Sequence, residues 1–453
     1  MPLVPSTVGT CASTCPLLDL LTIPLSWPEL EALAPEPPDR VQGPCNAQSL
    51  LRLFGQPESA VRVTLFRDHH AWCPYCQKVW LWLEEQRIPY RIRKVTMFCY
   101  GEKEAWYGSL VPSGMLPAVD LDGRLHTESD DILAALEQAF GPLGDGLRDG
   151  RVLPLRQLER ELFRAWCLWL CRPGLTPRAE EIAATTFDRM ADRVDSALAA
   201  TTGPYFLERF GTADVVFTPY IERMSASLYY YKAYDLRQRH TAIAAWFEAM
   251  ESRHTYRGTQ SDFHTHAHDL PPQMGGCHPS GTPAQQAAAE RVDHGPWPIA
   301  TPDPETSCLE PAGAAGEALQ RVLRHRHQLM AVNPAPAQAF DLALRCALTA
   351  LLREAPCPLP ANSDPLAVTG LLYLRDRISV PRDMSLHAAR RLRQALTTTA
   401  TAATAAMASE KGQAIPAAPA IPLRHRRDQN PAAFHHAASA EREARLTAGR
   451  SRP

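Results

Sequence analysis

The sequence predicts an α/β domain followed by an all-α domain and a long C-terminal extension. Residues 61–97 alternate between strand and helix patterns, whereas residues 151–255 carry apolar side chains at helical spacing. After residue 256 the composition shifts to Pro, Ala, Gly, Thr and His. A chain of 453 residues has room for several domains. We assign an N-terminal extension (1–58), an α/β domain (59–145), an all-helical domain (150–256) and a partly helical extension with a disordered tail (257–453).

The α/β domain begins as a β-α-β unit. "VRVTLF" and "YRIRKVTM" alternate in the manner of strands, and "QKVWLWLEEQ" between them consists of helix formers. After a helix near 102–109, "LPAVDLDGRLHTES" contains two strand candidates on either side of Asp122-Gly123, a strong hairpin signal. The segment "ESDDILAALEQAFG" starts with acids and ends at Gly141, as a helix does.

The two extensions are less regular than the domains between them. One short helix is expected at Trp27–Leu33, and residues 256–312 are interpreted as irregular. Later, "FDLALRCALTALL" and "MSLHAARRLRQAL" have the apolar spacing of helices. The run Thr397–Ser409 and the basic tail are predicted to be linker-like or disordered. The basic residues of that tail include Arg424, Arg426 and Arg427.

Composition limits the function classes. The formal net charge is -2, with no long basic block before the tail, so neither a nucleic-acid nor an anionic-membrane partner is expected. No apolar run reaches the ~18 residues of a membrane-spanning helix. The 12 cysteines form no dense framework, which favours a reducing compartment. We predict a cytoplasmic protein, with the chloroplast as the alternative because the start of the chain is rich in Ser and Thr and poor in acids.

The segment "AWCPYC" raises the main chemical question, because Cys73 and Cys76 form a Cys-X-X-Cys pair. Such a pair is half of a zinc site, a structural pair or a redox dithiol. Cys73 falls between a strand and a helix starting at Pro74, so it is the expected N-cap, where the helix dipole stabilises a thiolate. Cys76 lies one turn further in, within disulfide reach but less exposed. We predict that Cys73 is the nucleophile and Cys76 the resolving thiol, with two buried, reduced cysteines as the alternative.

A zinc site would need more ligands than this pair provides. The candidates are His264, His266 and His268 in "FHTHAHD", together with Cys277-His278, all far downstream. Because a strand-then-helix setting does not suit a zinc knuckle, no metal is predicted at the Cys pair. The histidines themselves are interpreted as a solvent-facing or locally packed His-rich loop, and metal binding by them is the alternative.

The motifs now combine into a family resemblance. Residues 61–255 resemble the glutathione S-transferase superfamily in the order of their elements and motifs. That order is a strand, the "CPYC" helix, a second strand, "GMLPAV", a hairpin, "ESDDIL" and a helical domain. The resemblance is greatest to its cysteine-type omega, lambda and dehydroascorbate reductase classes, while "CPYC" is also the dithiol motif of glutaredoxins. It implies a thioredoxin-like α/β domain and a glutathione S-transferase C-terminal domain. "VTMFCYGEKEAWY" and "YLRDRISVPRDMS" are similar to a transferase-like subgroup from plants, algae and cyanobacteria.

The resemblance also implies a glutathione site. Leu116-Pro117 matches the family's cis-proline loop, whose preceding backbone pairs with the cysteinyl part of glutathione. Glu128 and Ser129 match an acid-Ser pair that binds the γ-glutamyl end, with a plain helix cap as the alternative. Lys103 aligns with a lysine that reaches the glycyl carboxylate, with a solvated helix lysine as the alternative.

A further match concerns folding rather than binding. "GPYFLERFGTADVVFTPYIERM" is similar to the capping motif of the transferase helical domain, with Asp214 at its acidic position. Gly211 stands where the family has a Ser or Thr N-cap, so Thr212 in a shifted register is the alternative cap. We expect Asp214 to stabilise the fold.

The predicted function is that of a glutathione-dependent thiol transferase or oxidoreductase. Cys73 forms a mixed disulfide, which glutathione or Cys76 resolves. Glutathione is the co-substrate, and the other partner is an unidentified small electrophile or disulfide. Nucleic acid and membrane are not expected as partners, and the resemblance allows a homodimer. The alternatives are a glutathione-binding protein without turnover and an enzyme that conjugates glutathione to small electrophiles.

Overall fold

The computed structural model describes residues 23–298, 303–360 and 362–411. The strands are β1 (Leu51–Arg52), β2 (Val63–Asp68), β3 (Tyr90–Val95), β4 (Ala118–Leu121) and β5 (Arg124–Thr127). The helices up to residue 259 are α1 (Trp27–Leu33), α2 (Pro74–Glu85), α3 (Ala105–Leu110), α4 (Ser129–Phe140), α5 (Val152–Leu170), α6 (Pro177–Ala199), α7 (Thr212–Lys232), α8 (Leu236–Arg239), α9 (Thr241–Ser252) and α10 (His254–Thr259). The later helices are α11 (Phe263–Met274), α12 (Pro283–His294), α13 (Ala314–Val332), α14 (Ala337–Arg353), α15 (Leu366–Arg377) and α16 (Leu386–Lys411).

A single mixed sheet organises the α/β domain, in the strand order β1-β3-β2-β4-β5. Strands β2 and β3 are parallel and joined through α2, and β4 and β5 form an antiparallel hairpin around Asp122-Gly123. The predicted β-α-β unit and hairpin are therefore confirmed. Strand β1 pairs with β3 from within the segment predicted as an N-terminal extension. The sequence did not indicate β1, because two residues are too few to show alternation.

Helix α7 is the central element of the all-α domain. Every residue from Thr212 to Leu228 is buried, as expected of a helix surrounded by others. It contacts α5 within its own domain, α2 of the α/β domain, and α11 and α12 from the region after residue 257. Part of the C-terminal extension is thus built into the helical domain.

The prediction of irregular structure at 256–312 is wrong for much of that range. Asp262 caps α11 by accepting a hydrogen bond from the Thr265 N–H, and Thr282 caps α12 with Pro283 in the first helical position. These start signals were present in the sequence, but the high content of Pro and Gly around them obscured the helices.

The remaining helices form a second hydrophobic core. Side chains from α13, α14, α15 and α16 pack together with Leu30 of α1, the helix predicted at Trp27–Leu33. The helices predicted from "FDLALRCALTALL" and "MSLHAARRLRQAL" are confirmed as α14 and α16. No helix within the described ranges is long and apolar enough to cross a membrane.

The linker prediction for Thr397–Ser409 is wrong, because α16 continues to Lys411. Ala400, Ala403 and Met407 recur at helical spacing and are buried in the second core, which stabilises an otherwise weakly amphipathic segment. The predicted disordered tail with Arg424, Arg426 and Arg427 lies outside the described residues.

Asp214 organises the start of α7. Its Oδ2 accepts a hydrogen bond from the Gly211 N–H at 3.0 Å, and its Oδ1 accepts one from Trp246 Nε1 at 2.9 Å. Gly211 is the N-cap, so the shifted register with Thr212 as cap does not occur. The Thr212 hydroxyl instead donates to Glu137 at 2.9 Å. These contacts agree with the expected folding role of Asp214.

The buried Asp214 carboxyl leads to a pH prediction. Burial raises the pKa of Asp214 from 3.8 to about 6. Because the folded state holds this proton more tightly, its stabilising effect is complete below about pH 4 and is lost as the pH rises through 6. We expect this group to lower the free energy of unfolding by about 3 kcal/mol across that window.

Urea denaturation of the wild type and Asp214→Asn at several pH values measures the slope of the free energy of unfolding against pH. Asp214→Asn should lose it, whereas Asp131→Asn, which changes an exposed acid of α4, should keep it. An unchanged slope in Asp214→Asn would contradict the prediction.

Candidate active site

Cys73 is the N-cap of α2, and Pro74 is the first helical residue, as predicted. Its backbone is extended, and in the described structure its side chain caps no N–H of the helix. The residue is 6% exposed, and Sγ lies 3.9 Å from the carbonyl oxygen of Leu116. The sulfur therefore faces the residue that precedes Pro117.

Cys76 lies one turn inside the same helix and is only 1% exposed. Burial raises the pKa of Cys76 well above its ordinary value, and a hydrogen bond with Cys73 and the charge of Asp68 act in the same direction. The two sulfurs are therefore adjacent but differently placed, with Cys73 at the helix start and Cys76 held as a buried thiol.

Strand register brings the predicted glutathione contacts to the same edge of the sheet. The Leu116-Pro117 peptide bond is cis, and Ala118 immediately afterwards begins β4. Ala118 pairs with Phe66 of β2 on one side and with Thr127 of β5 on the other. Glu128 and Ser129 follow Thr127 directly, and Cys73 comes from the loop after β2. Cys73, Leu116-Pro117 and Glu128-Ser129 thus all adjoin one edge of the sheet, next to the ends of three adjacent strands.

Glu128 has an unusual backbone. Its φ of 61° and ψ of 119° place a non-glycine residue outside the common regions, which costs about 1–3 kcal/mol and is a kind of strain that clusters at functional sites. The side chain is exposed, and as far as the structure describes the chain it makes no cap hydrogen bond to α4. Ser129, the first residue of α4, is buried. A plain helix cap therefore does not account for Glu128.

Lys103 lies in the loop before α3 and is partly buried. Its ammonium donates to the carbonyl oxygen of Thr96 at 3.1 Å. Burial lowers the pKa of Lys103, while the nearby Cys76 and Cys73 sulfurs oppose that shift. The Lys103 ammonium is therefore partly buried and bonded to the backbone, unlike that of a solvated lysine on a helix.

An aromatic stack forms the wall next to the thiols. The Trp72 ring lies 4.4 Å from the His70 ring and 4.9 Å from the Tyr100 ring, measured between centroids. The Tyr100 hydroxyl donates to the carbonyl oxygen of Asp269 in α11 at 2.6 Å. The sequence did not indicate His70 or Tyr100 as residues of the site, because their loops show no periodicity. The wall is shared with a helix of the C-terminal extension.

A buried hydrogen-bond network connects the active-site helix to the helical domain. Arg223 of α7 donates to the Trp72 carbonyl oxygen at 2.6 Å and to Gln77 Oε1 at 2.7 Å. Gln77 Nε2 donates to Glu222 at 3.1 Å, and Glu222 pairs with His266 Nε2 at 2.8 Å. These contacts fix the backbone just before Cys73, and they give His266 a structural role.

The histidines of "FHTHAHD" were predicted to lie in a solvent-facing or locally packed loop; they are packed, but on a helix and not in a loop. His264, His266 and His268 lie on helix α11, and each is 1% exposed. His264 and His268 are one turn apart and lie near Asp293 of α12, away from the Glu222 contact of His266. Within the described ranges, His264, His268 and Asp293 are the one group with the spacing to hold a metal ion.

Comparison with known proteins agrees with this architecture. Residues 72–139 match the family model for the glutathione S-transferase N-terminal domain, and residues 157–249 match the model for its C-terminal domain. The two matched segments lie in the α/β domain and in the all-α domain, respectively. The predicted fold class, a thioredoxin-like domain followed by an all-α glutathione S-transferase domain, is therefore confirmed.

Several known proteins are similar to part of this chain. Glutathione S-transferase DHAR2 of Arabidopsis thaliana is 23% identical over 190 residues, which are 42% of this chain and 84% of that protein. Protein IN2-1 of Zea mays is 26% identical over 202 residues, covering 42% of this chain and 77% of that protein. Glutathione transferase Omega 3C from Trametes versicolor is a similar solved structure, with a TM-score of 0.38, 23% identity and coverage of 44% of this chain and 84% of that one.

Proposed function

We propose that this chain is a glutathione-dependent thiol transferase or oxidoreductase whose nucleophile is Cys73. The observation that carries the proposal is the position of the Cys73 sulfur at the start of α2, 3.9 Å from the Leu116 carbonyl oxygen. In this proposal the Leu116 backbone before Pro117 pairs with the cysteinyl part of glutathione. The relatives that match this region, named as glutathione S-transferases, support the same class of activity.

The remaining site residues bind the two ends of glutathione. Glu128 and Ser129, at the start of α4, hold the γ-glutamyl end, because free N–H groups at a helix start favour its carboxylate and the exposed Glu128 can pair with its ammonium. Lys103 pairs with the glycyl carboxylate. Both ends of the tripeptide would then be held by charge while its sulfur lies beside Cys73.

The proposed reaction proceeds in two exchange steps. The Cys73 thiolate attacks the glutathione sulfur of a mixed disulfide substrate, so that a Cys73–glutathione disulfide forms and the substrate leaves as a thiolate that takes a proton from water. The thiolate of a second glutathione then attacks the glutathione sulfur of the intermediate. That step releases oxidised glutathione and restores the Cys73 thiolate.

Glutathione, rather than Cys76, is the proposed resolving thiol. Only a thiolate attacks a disulfide, and burial raises the pKa of Cys76 well above its ordinary value. Cys76 is thus a poor nucleophile near neutral pH, whereas free glutathione reaches the intermediate from solvent. The dithiol route, in which Cys76 attacks the Cys73–glutathione disulfide, is expected to be slower.

Trapping the covalent intermediate tests the proposal. After incubation with oxidised glutathione, Cys76→Ser should carry one glutathione, located on the peptide that contains Cys73 and removed by a reductant. Mass spectrometry of the intact protein and of its peptides measures this. Cys99→Ser, combined with Cys76→Ser, is the matched control, because Cys99 is a partly buried thiol beside the same cluster; this double variant should still be modified.

Two other outcomes would overturn the proposal. Glutathione bound without any adduct on Cys73 would support the alternative of a glutathione-binding protein without catalytic turnover. Conjugation of glutathione to an aryl halide by Cys73→Ser at the wild-type rate would instead support transfer to electrophiles. The adduct on Cys73 therefore distinguishes the cysteine mechanism from glutathione binding without turnover and from conjugation to electrophiles.

A further inference from the structure

We propose that His264, His268 and Asp293 bind a divalent transition-metal ion, for which Zn²⁺ is the reference ion. The site joins α11 and α12 and contains neither Cys73 nor any of the proposed glutathione contacts. It therefore goes beyond the proposed thiol chemistry, and its test does not depend on that chemistry.

The spacing of the three side chains is the first argument. His264 and His268 are four residues apart on one face of α11, and their ring centroids are 4.9 Å apart. His268 Nε2 lies 2.7 Å from Asp293 Oδ1, and one ligand atom from each of the three residues lies within 4.8 Å of the others. Tetrahedral Zn²⁺ with bonds of about 2.0–2.1 Å holds its ligand atoms about 3.3 Å apart. Shifts of roughly 1 Å therefore bring the three donors to metal distance.

The surroundings of the carboxylate are the second argument. Asp293 is 14% exposed, and its second oxygen, Oδ2, accepts a hydrogen bond from the Tyr230 hydroxyl at 2.7 Å. Tyr230 belongs to the central helix α7, so the carboxylate is held from outside the ligand set. Metal sites commonly orient their ligands through this kind of hydrogen bond.

The donor set indicates which ions would bind. Two imidazoles and one carboxylate suit Zn²⁺ and the other later first-row divalent ions, whereas Mg²⁺ and Ca²⁺ prefer sites made entirely of oxygen. Three protein ligands also leave a fourth tetrahedral position open, as in zinc sites that bind water or a small ligand.

A cleft adjoins the proposed site. His264 lines a small cleft together with Trp297, Glu305 and Arg390. The Arg390 guanidinium is paired with Asp303 at 2.6 Å and with Glu305 at 2.9 Å, so its charge is compensated before any ion binds. In this proposal the fourth ligand of the ion, a water molecule or a small ligand, enters from this cleft.

Co²⁺ and Zn²⁺ binding to the full chain tests the site. The measurements use the double variant Cys73→Ser/Cys76→Ser, so that the active-site thiols do not compete with the proposed site for the added metal ion. We expect one equivalent of either ion after removal of free metal, measured by elemental analysis. The Co²⁺ form should show the visible bands of a tetrahedral site without the near-ultraviolet band of a thiolate ligand, which excludes the remaining cysteines.

Variants of the ligands and their neighbours complete the test. His264→Gln and His268→Gln should each lose the bound equivalent, and Tyr230→Phe should weaken binding by about 10–100-fold because it removes only the orienting hydrogen bond. His294→Ala is the matched control, since His294 is exposed, adjacent to Asp293 and paired with Glu290; it should bind normally.

Tyr230→Phe retains the aromatic ring and its packing, so we expect this variant to fold. Its metal affinity can therefore be measured even if a histidine variant fails to fold. Stoichiometric binding that survives both His264→Gln and His268→Gln, a thiolate band in the Co²⁺ spectrum, or no binding by the folded parent protein would each overturn the proposal. The glutathione adduct on Cys73 is measured separately, so failure of one proposal leaves the other standing.

Discussion

Cys73→Ser is expected to reduce the turnover of hydroxyethyl disulfide with glutathione by about a thousandfold or more. A serine hydroxyl is almost entirely protonated at neutral pH, and it does not form the disulfide intermediate on which both exchange steps depend. Cys76→Ser should keep its rate within roughly threefold of the wild type, because glutathione resolves the intermediate. The pair of variants thus separates the nucleophile from its buried neighbour.

The assay couples production of oxidised glutathione to NADPH consumption through glutathione reductase. Cys99→Ser is the control for a neighbouring thiol with no assigned step, and it should be as active as the wild type. Equal rates for the wild type and Cys73→Ser would eliminate the nucleophile hypothesis. Comparable losses in Cys73→Ser and Cys76→Ser would instead establish the dithiol route.

Arg393→Met is expected to lower the free energy of unfolding by about 3–5 kcal/mol. Arg393 of α16 forms an ion pair with Asp262, and the two side chains are 0% and 1% exposed. Removing the guanidinium leaves the Asp262 carboxylate buried without its counter-charge. Arg393 also donates to the Ile378 carbonyl oxygen at 2.9 Å, so a backbone acceptor loses its partner as well.

Urea denaturation of the full chain measures the loss. Arg62→Met is the matched control, because the Arg62–Asp122 pair is about half exposed on both sides and should contribute less than about 1 kcal/mol. Adding Asp262→Asn to Arg393→Met should recover part of the stability, since it removes the unpaired charge and keeps a good helix cap. A loss below about 1 kcal/mol in Arg393→Met would contradict the prediction.

The Asp262–Arg393 pair matters because it joins the C-terminal helices to the part of the chain that packs on the all-α domain. Asp262 caps α11, which contacts the central helix α7 and supplies the backbone acceptor for Tyr100 beside the thiols. The Val380 N–H donates to Thr265 Oγ1 at 3.0 Å, so the loop before α16 is bonded to the same helix. Weakening this contact is therefore expected to affect the active-site wall as well as overall stability.

Local signals in the sequence determined the most reliable predictions. Pro74 after Cys73 indicated where α2 begins, Asp122-Gly123 indicated the hairpin, and the periodicity of "FDLALRCALTALL" indicated α14. In each case a few consecutive residues contain the physical cause, such as a fixed φ angle, a permissive turn residue or an apolar stripe. The motif order was enough to predict the two-domain fold class.

Only the tertiary structure decided the features that depend on distant parts of the chain. Strand β1 exists because β3 offers it an open edge, and α16 continues through an Ala/Thr run because its apolar side chains are buried in the second core. Likewise, the sequence does not indicate that His266 pairs with Glu222 or that His264 and His268 approach Asp293. Burial and pairing are set by packing between segments far apart in sequence, and local patterns do not specify which segments meet.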